Sequence, residues 1–175
     1  SSSLQNTTTG NYNTASGMRS LYSNTTGNNN IATGYQALSS NTTGNYNTAS
    51  GDSSLYFNTT GASNTATGYQ SLVYNTSSNN NTATGGCALY TNTGSDNTAT
   101  GYWSLYYNTT GYRNTASGVY SLQSNTSGRF NTASGASALL YNTTGYSNTA
   151  IGYEAGQNIT TGSNNIMIGN GVNAV

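Results

Sequence analysis

NTASGDSSLYFNTTGASNTATG, from Asn47 to Gly68, states a unit and then begins to state it again. One copy closes on Gly51 and the next on Gly68, with a Leu and an NTTG between them. Working outward, the same closing Gly recurs at Gly17, Gly34, Gly51, Gly68, Gly85, Gly101, Gly118, Gly135, Gly152 and Gly169. The step is 17 residues throughout, except for one of 16 between Gly85 and Gly101, where YTNTGSDNTATG lacks one residue of the NTTG turn. A position that tolerates a deletion is a loop, and ten units of one period mean a repeat architecture.

Other residues keep fixed places against this marker. Four before it stands Asn in every unit: Asn13, Asn30, Asn47, Asn64, Asn81, Asn97, Asn114, Asn131, Asn148 and Asn165. Two before it stands Ala, with Met167 the exception. Four after it stands Leu, from Leu21 through Leu139, and seven after it a second Asn, from Asn24 through Asn142, usually opening NTTG or NTSG. A unit of 17 residues with two fixed Gly is too short for a pair of helices and carries no 3.6-residue apolar pattern. Short strands joined by Gly and Asn turns fit it. Strands are expected around NTAxG and around xSLYx, with turns near the marker Gly and the NTTG Gly.

Stacking such units gives an all-β, parallel β-solenoid or β-roll of about ten coils, with residues 1–175 forming a single repeat domain. At roughly 4.8 Å per coil the rod would be on the order of 48 Å long. The chain begins at Ser1 within a repeat, which reads as a piece of a longer fibre or a processed product. The Asn columns then have a physical reason: a side-chain amide both donates and accepts, so stacked Asn residues form a ladder along the axis and tolerate turn backbone. Strand alternation points Ala15, Ala32 and their counterparts inward and the flanking Thr or Ser outward. The interior is left with Ala, Leu and a Ser or Ala before Leu. So thin a core is expected to lean on hydrogen-bond ladders, Tyr stacking or a partner chain.

Composition narrows the function. An ordinary domain is about a quarter charged, whereas only six residues are charged here: Arg19, Arg113, Arg129, Asp52, Asp96 and Glu154. There is no His, Lys or Pro, and the net charge is zero. The acidic residues fall in different units and phases, so neither a carboxylate pair nor a nucleophile with its base is evident, and no cofactor or metal is expected. Calcium-binding rolls need an Asp in every unit, which Asp52 and Asp96 do not supply. Three Arg are too few for a nucleic-acid surface. Cys87 is the only cysteine and reads as a small buried apolar residue. No apolar run approaches the roughly 18 residues of a membrane-spanning helix.

Two segments, NTAIGYEAG (Asn148 to Gly156) and NIATGYQAL (Asn30 to Leu38), resemble the head repeats of YadA-like trimeric autotransporter adhesins. The longer unit is similar to repeats of phage-type tail-fibre and related surface-fibre proteins. The resemblance covers nearly the whole chain through short, low-complexity motifs. It implies a left-handed roll, three chains side by side, on a cell or virion surface and used for attachment. In that family the residues flanking Ala are usually aliphatic and face the trimer axis. Here they are mostly Thr and Ser, with Ile31, Ile151, Ile166 and Ile168 as exceptions, so an apolar interface is expected near NNIMIG.

Three functions are consistent with these residues. The first is a non-enzymatic structural or adhesive extracellular fibre, with a homo-trimer or filament of itself as partner and a host-surface receptor or carbohydrate as ligand. The second is ice binding through outward rows of Thr14, Ser16, Thr48, Ser50, Thr65, Thr67, Thr82, Thr84, Thr98, Thr100, Thr115, Ser117, Thr132 and Ser134, a hydroxyl grid that resembles the Thr arrays of solenoidal antifreeze proteins. The third is a self-assembling cross-β filament, since uncharged, Asn- and Tyr-rich, Pro-free segments stack in that way. Tyr columns, such as Tyr35, Tyr69, Tyr102 and Tyr153 after the marker and Tyr22, Tyr56, Tyr90 and Tyr106 after Leu, suit packing or carbohydrate contact. Asn24, Asn41, Asn58, Asn75, Asn108, Asn125 and Asn142 each open an N-x-S/T triplet, a candidate row of glycan acceptors on a turn.

Overall fold

The computed structural model describes residues 3–173. Ten three-residue strands, β1 (Thr14–Ser16), β2 (Ile31–Thr33), β3 (Thr48–Ser50), β4 (Thr65–Thr67), β5 (Thr82–Thr84), β6 (Thr98–Thr100), β7 (Thr115–Ser117), β8 (Thr132–Ser134), β9 (Thr149–Ile151) and β10 (Ile166–Ile168), form one sheet. Every neighbouring pair is parallel, and the order in the sheet is the order in the chain. The fold is a β-solenoid with one strand per coil. Register follows the repeat, with Ala49 beside Ala66 and Ala66 beside Ala83, and it survives the 16-residue step, where Ala83 meets Ala99.

The strand Ala residues from Ala32 through Ala150 are buried and their neighbours point out. The Leu column fills the interior beside them. Ser20, Ser54, Ser71, Ser104 and Ser121 share that interior by turning their hydroxyls onto the carbonyl of the marker Gly three residues back, at 2.9 to 3.1 Å. A buried hydroxyl is thereby satisfied without help from another coil.

The segment expected as a second strand, xSLYx, is instead a turn. Leu55, Leu72 and Leu105 lie at φ 51° to 52°, and the residue two before each, Ser53, Gln70 and Trp103, at 55°, 52° and 59°. Left-handed backbone costs a non-Gly residue roughly 1 to 2 kcal/mol, while burying a Leu side chain contributes about 2 kcal/mol. Burial alone only balances the strain, and coil-to-coil hydrogen bonds add the margin. Gln36 N–H reaches back to Met18 O at 2.9 Å, and Leu38 N–H reaches forward to Ser54 O at 2.9 Å. The corner is laddered like a strand although its dihedrals are those of a turn, which is why its apolar pattern resembles one.

The marker Gly column cannot carry a side chain. Gly118 has φ 137°, and a Cβ there would stand 2.5 Å from both the carbonyl carbon and oxygen of Gly135. In the last coil two substitutions compensate each other. Gly156 (φ 63°) takes the Leu position and Met167 takes the strand Ala position. A Cβ on Gly156 would lie 2.6 Å from Met167 Cε, so the Met fills the volume that Leu vacates. We expect Gly156→Leu and Met167→Ala each to lower stability alone, the first by collision and the second by leaving a cavity. The double variant restores the regular coil, and a denaturation cycle should give a favourable coupling of about 2 kcal/mol.

Candidate functional site

Two Asn ladders run inside the solenoid. In the first, the column Asn13 to Asn165, each Oδ1 accepts the backbone N–H of the next coil's Asn. Asn47, Asn64 and Asn81 donate in this way to Asn30, Asn47 and Asn64, each at 3.0 Å. The Nδ2 of Asn47 and Asn114 also donates to a turn carbonyl, Gly61 O and Gly128 O, each at 2.8 Å. In the second column, Asn41 Nδ2 donates to Asn24 Oδ1 at 2.8 Å, Asn58 to Asn41 at 2.9 Å, Asn125 to Asn108 at 2.7 Å and Asn142 to Asn125 at 2.8 Å. Both ladders are polarised alike, with later coils donating to earlier ones.

The second ladder corrects the glycan expectation. Asn24, Asn41, Asn58, Asn75, Asn108, Asn125 and Asn142 are fully buried, and their Nδ2 atoms donate to protein oxygens. An N-glycan needs that same nitrogen in solvent, so these residues are not acceptors in the folded rod. The NTTG motif has another logic. After the Asn, the N–H groups of Thr25, Thr26 and Gly27 converge on Thr42 O at 3.0, 3.1 and 3.2 Å, and the Thr25 hydroxyl joins them at 3.0 Å. The Gly is there because a Cβ on it would run into the Asn of its own turn and the Gly carbonyl of the next coil. Ser78 is the exception, and it stacks on the one coil whose turn is a residue short, at Asn92 to Gly94.

The outward rows named from sequence do lie together on one face of the sheet. Thr48, Thr65, Thr82, Thr98, Thr115 and Thr132 form one row, and Ser50, Thr67, Thr84, Thr100, Ser117 and Ser134 the other. Thr14 and Ser16 continue the rows in β1, where Thr14 meets Ile31 and Ser16 meets Thr33. Among the described residues, none of these hydroxyls is used in a hydrogen bond within the chain. The Thr25 column, in contrast, spends its hydroxyls on the fold. Ile31, Ile151, Ile166 and Ile168 stand out on the same face.

A different side of the rod carries aromatic rings. Phe57 stacks on Tyr74 with centroids 5.1 Å apart, Tyr90 on Tyr106 at 4.8 Å and 3°, and Trp103 on Tyr106 at 4.4 Å. Burial and a hydrogen bond with Tyr74 push the Tyr90 phenol up to about 12. Next to this strip is a cleft of about 190 Å³ that the sequence did not single out. Its sequence signal is slight: Val73 is one of four residues, with Ser39, Gln123 and Leu140, that interrupt the Tyr column after Leu.

Charged groups are dispersed. Arg19, Arg113 and Arg129 lie over the rings of Tyr22, Phe130 and Tyr146 at 6.0, 5.7 and 5.2 Å. Arg113 also faces Asp96 at 3.8 Å, exposed to solvent. Burial pushes the Cys87 thiol up, which keeps it protonated at neutral pH. Among the described residues, no group of three or more Cys, Asp or Glu could hold a metal ion. No family model, curated protein or solved structure matches this chain.

The second ladder also has a visible stop. Ile159 stands where the next Asn would be, and Asn142 Oδ1 is buried without a hydrogen-bond partner. Ile159→Asn should extend the ladder, and satisfying that oxygen is worth about 1 kcal/mol or more, enough to offset the lost apolar burial. The reverse change inside the ladder, Asn58→Ile, orphans Asn41 Oδ1 and should cost about 3 kcal/mol. Thermal melts should therefore show Ile159→Asn at or above the parent midpoint and Asn58→Ile well below it.

Proposed function

We propose that this chain is a non-enzymatic structural and adhesive rod that works at a cell or virion surface, outside the cell. The observation that supports this most is that the inward columns are consumed by stacking: Ala and Leu by packing, and Asn by the two ladders. What a coil can offer a partner is its outer columns, and what the repeat supplies is length. At the C-terminal coils the sheet face is apolar, with Ile151, Ile166 and Ile168 exposed to 44, 76 and 66%. Packing three rods side by side on that face would cover them.

Light scattering with negative-stain microscopy across a dilution series is the test. The expected result is a discrete rod of three chains, and an Ile166→Lys/Ile168→Lys variant that is monomeric, keeps the parent's β circular-dichroism spectrum, and melts at or below the parent midpoint because the stabilisation from association is lost. A monomeric parent would overturn side-by-side assembly. Long filaments would point to end-to-end stacking of coils, the cross-β reading.

A second reading, ice binding, is favoured by one observation: the Thr and Ser hydroxyls of the sheet face have no partner within the chain and recur at the coil spacing. It requires that face to be free, so it competes with the trimer. Thermal hysteresis by a monomeric chain, lost in a Thr84→Lys/Thr100→Lys variant, is the expected outcome on this reading. Inactivity at high protein concentration would overturn it.

A further inference from the structure

The column that follows the core Leu reads Tyr22, Ser39, Tyr56, Val73, Tyr90, Tyr106 in successive coils. At Val73 it drops from a ring to a short branched side chain between two rings, and the cleft of about 190 Å³ opens there. Tyr56 and Tyr90 wall it along the rod axis. Phe57 and Tyr74, stacked within 15° of parallel, form one flank, and Gln36, Ser53 and Gln70 the other. Among the described residues, neither the Gln36 nor the Gln70 side-chain amide is hydrogen-bonded within the chain. Both are half-buried at the rim.

We propose that this cleft is a binding subsite for one ring of a neutral saccharide chain. A pyranose presents a C–H face and a rim of hydroxyls. The rings of the cleft match the face by stacking, and two unspent amides, each with donors and an acceptor, match the rim. An aromatic or aliphatic side chain of a protein ligand would use the rings but leave both amides unpaired on burial, which is costly. The volume suits a single ring rather than a drug-sized ligand. Charge selects against acidic sugars: no Lys or Arg lines the cleft, and Ser53, which does, donates its hydroxyl to the carboxylate of the adjacent Asp52 at 2.6 Å. The aromatic strip continues from Tyr90 to Tyr106 in the next coil and sideways to Trp103 within that coil, so a neighbouring sugar unit has rings beside the cleft.

The inference takes its setting from the rod as a surface element, but the experiment reads binding by the isolated chain, so its failure would leave the rod reading standing. Amide shifts of the full chain are followed by NMR while cellotetraose, maltotetraose or mannotetraose is added, with tetragalacturonate as the acidic comparator and N-acetyltryptophanamide as a mimic of a protein side chain. Saturable shifts around Gln70 and Val73 with at least one neutral sugar are expected, with the acidic sugar at least about tenfold weaker. Val73→Tyr closes the cleft with the residue that neighbouring coils already carry at this position. It should melt like the parent and bind at least about tenfold more weakly. Gln36→Leu/Gln70→Leu should weaken binding to a similar extent and shows whether the amides, and not only the rings, matter. Absence of saturable shifts with all three neutral sugars, equal binding by Val73→Tyr, or equal binding of the acidic sugar would overturn the proposal. Tighter binding of N-acetyltryptophanamide than of any sugar would also overturn it and assign the cleft to a protein partner.

Discussion

The structure depends on one constraint: each coil must repeat at a fixed translation so that a buried amide in one coil meets a buried amide in the next. Asn Oδ1 and Nδ2 provide an acceptor and a donor on one short side chain, which lets the same residue type serve as both ends of the link. With two such columns and a strand, every coil is held to its neighbours at several points around its circumference. An unpaired amide in that interior costs more than a neutral hydrogen bond contributes, so the ladders act chiefly by penalising any other register. A coil slipped by one residue would bury its Thr side chains where Ala and Asn now sit.

That constraint explains why so small an apolar core suffices. Leu and Ala supply the dry packing, while the remaining interior volume is filled by Asn and Ser whose polar atoms are nearly all spoken for. Left-handed corners are tolerated for the same reason. At Leu55 or Leu105 a backbone that would be strained in isolation is held by hydrogen bonds to neighbouring coils, and the side chain it aims inward is the largest the core contains. Deleting one residue at Asn92 to Gly94 does not break the stack, because Asn92, Asn97 and the Ala99 strand keep their partners on either side.

Much of this was legible in the sequence, and what was not has identifiable causes. The period, the inward Ala and Leu, and the outward Thr and Ser follow from marker spacing and strand alternation. The corner at Ser20 to Tyr22 has the sequence pattern of a strand because a laddered left-handed turn and a strand place the same alternating apolar residue. The Asn24 column looked like an exposed acceptor row because N-x-T is the signature of both a glycan site and an NTTG turn, and only burial separates them. Val73 carries no periodic signal, because a cleft is made where a column fails to recur.

The columns of the rod differ in how freely they vary. Inward columns are held nearly constant by the ladder. Some of their departures are compensated, as with Gly156 and Met167, some are small, as with Ser or Ala before Leu, and the one at Ile159 leaves the Asn142 oxygen unpaired. Outer columns face no such demand. The position after Leu runs through Tyr, Ser, Val, Leu and Gln, and the position after the marker Gly through Met, Tyr, Asp, Gly, Val and Ala. Variation there costs the fold little, so those columns are free to differ from coil to coil, on a side of the rod away from the hydroxyl face. A periodic face can recognise only something that is itself extended or a copy of itself. An aperiodic aromatic side is not bound by that restriction, because each stretch of it presents a different arrangement of rings and amides.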